Sequence, residues 1–213
     1  MKGLLIKDLY LIFQKKTILM YLVCCMLMGF SMGVTYIVSY LAIIMCISGI
    51  GTISYDEHDN GYPFLFSLPI DRKTYVREKF VLCLSMTFIG VLFGALIMAI
   101  ASLTGLDDLT LINIPLYLLP ICAGLLVICS TMIMIEICFG AEKGRIVMMM
   151  IYGAAIFVVV LLGKTGLLKT SSIAYFISII PVWLLIAGIA LFIALFVYVM
   201  YLLCVRKMEK KEF

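Results

Sequence analysis

From Thr17 to Tyr55 the sequence contains no charged residue. Further uncharged runs cover Phe80 to Leu106, Leu109 to Ile135, Ile146 to Gly163 and Thr170 to Val205. A helix crosses the hydrocarbon of a bilayer with about 20 apolar residues. In lipid, every backbone polar group of a crossing segment must be satisfied within the protein. Runs of this length therefore leave a bundle of membrane-crossing helices as the expected solution. Composition agrees: 65% of the residues are hydrophobic and only 13% are charged, against roughly a quarter charged in a soluble domain. The mean hydropathy is +1.23. Too little polar surface exists to coat a water-soluble globule.

The run from Thr17 to Tyr55 is too long for one crossing and divides near Ser31-Met32-Gly33. The expected fold is all-α, a single transmembrane domain over 1–213 with six spans at 17–33, 36–55, 80–104, 115–138, 146–163 and 181–204. Residues 1–16, MKGLLIKDLYLIFQKK, show helical periodicity. Leu5, Ile6, Leu9, Ile12 and Phe13 fall on one stripe, with Lys7, Asp8, Gln14 and Lys15 opposite. That pattern suits an amphipathic helix lying in the membrane interface; its alternative is a simple extension of the first span. No small-residue cleavage site follows the first apolar run, so no removable signal peptide is expected. The piece IAYFISII, at 173–180, is too short to cross alone and stops at Pro181. It reads as a re-entrant or interfacial helix over about 172–180, or as the start of one tilted span.

Basic residues set the orientation. With the N-terminus inside, all of the 16 lysines and arginines except Lys164 and Lys169 fall on inner segments. The loop with Asp107 and Asp108 carries no basic residue. Both termini are therefore expected in the cytoplasm, and 56–79 becomes the largest cytosolic connection.

That connection gathers Asp56, Glu57, Asp59, Asp71, Arg72, Lys73, Arg77, Glu78 and Lys79. Asn60-Gly61 and Pro63 mark a turn. An aromatic knob, Tyr62 to Leu68, follows, and Asp71 is placed to cap a helix beginning at Arg72. The knob should bury itself in something. One choice is the membrane surface, to which Arg72, Lys73, Arg77 and Lys79 would also be drawn. The other is a groove on a soluble partner, with Phe64, Leu65 and Phe66 as anchors.

The residues of ordinary catalysis are missing from the sequence. His58 is the one histidine, and in DEHDN it reads as part of a solvated acidic turn more readily than as a metal ligand. No Gly-x-Ser-x-Gly, His-Glu-x-x-His or phosphate-binding Gly-x-x-x-x-Gly-Lys-Ser/Thr motif occurs. The eight cysteines lie in or beside apolar runs without metal-ligand spacing and read as small packing groups. Glu136 is the one ionisable residue expected within a span. It either anchors near the cytosolic end, in reach of Lys143 or Arg145, or lines a substrate path or gate. Gly29-x-x-x-Gly33 and Gly90-x-x-x-Gly94 let helices approach closely, within one subunit or at a dimer seam.

The opening helix KGLLIKDLYL, Tyr55-Asp56-Glu57, Ser67-Leu68-Pro69-Ile70 and Arg72-Lys73, set among these spans, resemble the permease subunits of type-2 ABC exporters. The likeness is to small bacterial permeases that export phenol-soluble modulins and antimicrobial peptides. The resemblance implies a non-enzymatic subunit in the bacterial cell membrane that dimerises with itself or a related permease. It implies a separate ATP-binding subunit that holds ATP and magnesium, with no cofactor in this chain and no nucleic-acid partner. It places a cytosolic coupling helix at about Asp59 to Leu68. The docking surface would then comprise Asp56, Glu57, Asp59, Tyr62, Phe64, Leu65, Phe66, Arg72 and Lys73. Amphipathic peptides or other hydrophobic compounds would be the cargo. A substrate-binding membrane subunit of a vitamin importer, or a membrane protein without a transport role, are the competing readings.

Overall fold

The computed structural model describes residues 2–13, 23, 27, 34–58, 61–67, 70–104, 114–164 and 182–210. The expected span at 17–33 apart from Val23 and Leu27, Asp59, the loop around Asp107, the Gly29/Gly33 pair and the piece at 172–180 lie outside the described residues. Among those described, seven helices account for nearly everything: α1 (Lys2–Phe13), α2 (Val34–Glu57), α3 (Gly61–Ser67), α4 (Arg72–Thr104), α5 (Ile114–Phe139), α6 (Ala141–Lys164) and α7 (Val182–Glu209). Four of them, α2, α4, α5 and α7, are long and apolar enough to cross a membrane.

α4 is the central element. Its 33 residues reach about 50 Å at 1.5 Å per residue, well beyond the roughly 30 Å of bilayer hydrocarbon. Its charged first turns therefore project past the hydrocarbon. The helix begins as its sequence requires: the Asp71 carbonyl accepts the first turn's bond from Tyr75 N–H at 3.1 Å, which puts Asp71 at the capping position.

α2 and α4 pack antiparallel at backbone distance. A Cβ added to Gly90 would stand 2.7 Å from Ala42 Cα, and one added to Gly94 would stand 2.7 Å from Val38 Cα. A Cβ on Gly49 would meet Cys83 at 3.2–3.3 Å. Val38, Ala42 and Gly49 on α2 thus face Gly94, Gly90 and Cys83 on α4, with steps of four and seven residues that keep one seam facing its partner. Lipid is as apolar as leucine, so the seam gains its stability from close van der Waals contact, which small residues permit. The Gly90/Gly94 pair is accordingly a seam within the subunit.

The expected loop FGAEKGR collapses to one residue. Gly140 adopts φ +79°, the left-handed conformation that ends helices and that glycine takes without steric cost. Its N–H bonds to Glu136 O at 2.9 Å, closing α5. α6 starts at the next residue, so Glu142, Lys143 and Arg145 belong to its first two turns, and the expected fifth span is the continuation of that helix.

The largest core cluster lies at the charged end of the bundle, not at mid-membrane depth. Leu4 of α1, Ile50 and Ile53 of α2, Tyr62 and Leu65 of α3, Tyr75, Val76 and Phe80 of α4, Ile133 and Ile137 of α5 and Met208 of α7 all join it. Six helices converge there. Away from it, α6 and α7 expose large apolar side chains such as Met149, Phe157, Leu191 and Phe192, as helices facing lipid do. Cys46, Cys83, Cys129 and Cys204 are buried free thiols within the same core.

Candidate coupling site

A buried ionic cluster ties α1, α2 and α4 together at this end. Lys79, fully buried, donates to the Asp8 carboxylate of α1. It reaches Asp56 Oδ2 of α2 at 2.6 Å and Thr52 Oγ1 at 3.0 Å. Tyr75 O–H donates to Asp56 Oδ2 at 3.1 Å. Lys7 pairs with Asp56 and, at 3.2 Å, with Asp8. Glu78, also fully buried, stands 4.0 Å from the Lys79 ammonium. Two cations, the buried Lys79 and the partly exposed Lys7, thus meet three buried carboxylates. Lost hydration must be replaced by mutual attraction and hydrogen bonds. A group arranged this way tolerates one geometry and penalises others, which ties α1, α2 and α4 to one relative placement.

Periodicity alone assigned two of these residues differently. Asp8 was expected on the polar face of the first helix, and it sits instead at the centre of the buried face, between Leu4 and Ile12. Of the apolar stripe expected to lie in the membrane interface, Ile12 is buried in the protein while Ile6 and Phe13 are exposed, as is Tyr10. Lys79, which one of the two readings of the loop would draw to the membrane surface, is enclosed. The reason is shared: each neutralises the other. Burying one charge alone is prohibitive, so a pattern read from α1 by itself turns Asp8 outward.

α3 divides its aromatic residues between two sides. Tyr62 and Leu65 are buried, whereas Phe64 is 74% exposed. Tyr62 and Phe66 both meet the Tyr75 ring edge-on, at centroid distances of 6.0 and 5.8 Å, and stack on each other at 6.2 Å. Burial pushes the Tyr62 phenol well above its usual pKa, so it stays neutral. Pro63 sits in the first turn of α3, where the missing N–H has no helical partner to lose.

Arg72 and Lys73 reach the other way, to α7. The Arg72 guanidinium donates to the Met208 and Glu209 carbonyls at 3.1 and 2.8 Å, satisfying two of the carbonyls that a helix leaves open at its C-terminus. It also lies over the Phe66 ring at 5.8 Å. Lys73 pairs with Glu209 at 3.3 Å. The start of α4 is thereby bound to α3, to α7 and, through Lys79, to α1.

Glu57 and Glu136 join α2 to the α5–α6 corner. Glu57 Oε2 accepts from Ala141 N at 2.6 Å, placing a carboxylate on the N-terminus of α6, where the helix dipole favours it. Buried Glu136 accepts a hydrogen bond from Ser54. Of the docking residues read from the sequence, the structure brings Tyr62, Leu65, Phe66, Arg72 and Asp56 into one connected block. Glu57 reaches α6, and Phe64 points away from the protein. Asp8, Thr52, Tyr75, Glu78 and Lys79 were not singled out as site residues. Lysine and aspartate in predicted helices 71 positions apart gave the one available signal, an uncommon pair of charges beside apolar runs.

Gly140→Ala is expected to lower stability by about 1–3 kcal/mol, from strain at positive φ and from the added Cβ meeting the Glu57 carboxylate. Thermal unfolding of the purified protein measures it. If the left-handed corner is the cause, Gly140→Asn loses less than Gly140→Ala.

Among the described residues, no group of His, Cys, Asp and Glu is placed to hold a metal ion. No curated protein and no solved structure matches the chain. A family model described as ABC-2 family transporter protein matches residues 3–209, which takes in α1, every candidate span, α3 and the ionic cluster. This chain is a multi-pass membrane transport component and belongs to the ABC-2 family of transporter proteins.

Proposed function

We propose that the chain is the permease subunit of an ATP-driven exporter in the bacterial cell membrane. It has six spans with both termini in the cytoplasm, and works as a dimer with a second copy or a related permease. ATP and magnesium belong to a separate ATP-binding subunit, which docks on α3. The cargo is an amphipathic peptide or another hydrophobic compound.

One observation carries this reading. α3 presents Phe64 outward while its opposite side is locked through Tyr62, Leu65 and Phe66 into the first turns of α4. A push on Phe64 therefore reaches the start of α4 directly. From there Arg72 passes it to α7 and Lys79 passes it to α1 and α2. A state change driven from outside needs differential contact between states. A rigid cluster joining four helices transmits such a difference without any bond-making group in this chain.

Phe64→Asp is the test. The side chain is mostly exposed, so the thermal stability of the subunit alone should stay within about 0.5 kcal/mol of the parent. Co-purification of the ATP-binding subunit from native membranes should fall at least roughly tenfold, as for loss of an aromatic anchor. Unchanged co-purification assigns Phe64 to lipid and removes the docking role from α3. Phe66 is less suitable for this purpose, because replacing it also strips a ring from Tyr62, Tyr75 and Arg72.

A further inference from the structure

An apolar groove of about 1200 Å³ runs between α4, α5 and α7. It exceeds the roughly 300–1,000 Å³ of ordinary small-molecule pockets. Along α7 it extends from Ile186 to Tyr201, about 22 Å at the helical rise. Phe80, Leu84, Leu126 and Ala194 are among its walls. Among the described residues, no carboxylate lines it. Arg77 is the one charged residue among the described residues that line it, placed at the end where Tyr201 also lies. Among the described residues, Arg77 has no hydrogen bond or ion pair. It stands in the part of α4 that projects past the hydrocarbon, where a guanidinium meets lipid headgroups.

We propose that this groove is a binding site for one anionic phospholipid, with an acyl chain along α7 and the headgroup phosphate on Arg77. The charge pattern argues for this occupant over the others. A transmembrane helix of a partner would leave Arg77 unanswered unless it brought a carboxylate to the same depth, and a second copy of this chain would bring the same cation. A phospholipid of the surrounding leaflet supplies the apolar length and the negative charge together, at the right relative height. Arg rather than Lys suits the task, because its planar fork matches phosphate oxygens in pairs. The lipid would wedge α7 against α4, next to the contact that Arg72 makes with the end of α7. Binding here is independent of ATP and of cargo, so it stands or falls apart from the exporter reading.

Native mass spectrometry of the purified full-length protein tests the site. Dioleoylphosphatidylglycerol and dioleoylphosphatidylcholine are each titrated into the detergent solution. The first adduct should favour phosphatidylglycerol by about fivefold, the effect of one basic side chain near an anionic headgroup. Arg77→Gln should bring the two lipids to parity while leaving the elution profile unchanged. Ala194→Trp, which fills the groove, should weaken both. Equal binding of the two lipids by the parent overturns the proposal, as does a preference that survives Arg77→Gln. Disulfide-linked dimers that form in native membranes with Ala194→Cys and not with the parent would also overturn it, by showing that a second copy fills the groove.

Discussion

Lys79→Met should cost about 3–5 kcal/mol, enough to abolish recovery of folded protein from membranes at growth temperature. The substitution takes the buried ammonium from Asp8 and Asp56, both buried, and leaves them only the partly exposed Lys7. Breaking a buried ion pair by removing one partner strands the other charge at low dielectric, and that stranded charge is the source of the loss. Methionine matches the lysine stem in length, so packing is nearly kept and the effect is electrostatic. The design separates this cause from a general intolerance at position 79. Adding Asp8→Asn, Asp56→Asn and Glu78→Gln to Lys79→Met removes the buried carboxylates that Lys79 faces and should restore most of the stability, since a neutral replacement of a whole buried ionic group is often harmless. Fluorescence-detected size-exclusion after a heating series gives the midpoint for each variant. A Lys79→Met protein as stable as the parent would dismiss the cluster as a structural element.

Gly90→Ala should destabilise by about 1–3 kcal/mol, the usual range for overpacking a close contact. The added methyl meets Ala42 Cα and N, at 2.7 and 3.2 Å. Both atoms are backbone, so relief requires α2 and α4 to separate along the seam. Gly153→Ala on α6 is the matched control: nothing stands within 4 Å of its added Cβ. There the same substitution should stabilise by about 0.5–1 kcal/mol, because alanine loses less conformational freedom in a helix. The two variants therefore differ in sign, which a propensity effect alone cannot produce. A Gly90→Ala protein that gains stability as Gly153→Ala does would mean that α2 and α4 are not in backbone contact.

The two predictions differ in how far the sequence foretold them. Gly90 and Gly94 announce a close helix contact by spacing alone. Which helix comes close is not written there, and three-dimensional packing chose Val38 and Ala42 of the same chain. Lys79 gave no such notice. It occurs among Arg72, Lys73 and Arg77, and nothing in spacing distinguishes the one cation that turns inward from Lys73 and Arg77, which stay out.

What the sequence determined by itself is everything governed by local solvation. Uncharged runs of bilayer length made the chain helical and membrane-bound, Asp71 placed the start of α4, and the charged stretch between Asp56 and Lys79 marked where the bundle leaves the hydrocarbon. What only the tertiary structure decided is the pairing of charges and the direction each side chain faces: Asp8 inward, Phe64 outward, Glu57 on the first turn of α6, and a seven-residue loop reduced to Gly140. The physical reason is that apolar transfer energies add residue by residue along the chain, so a run reveals its own preference. A buried charge has no preference of its own. Its free energy depends on a partner that the chain brings from far away, and only the folded arrangement says which one arrives.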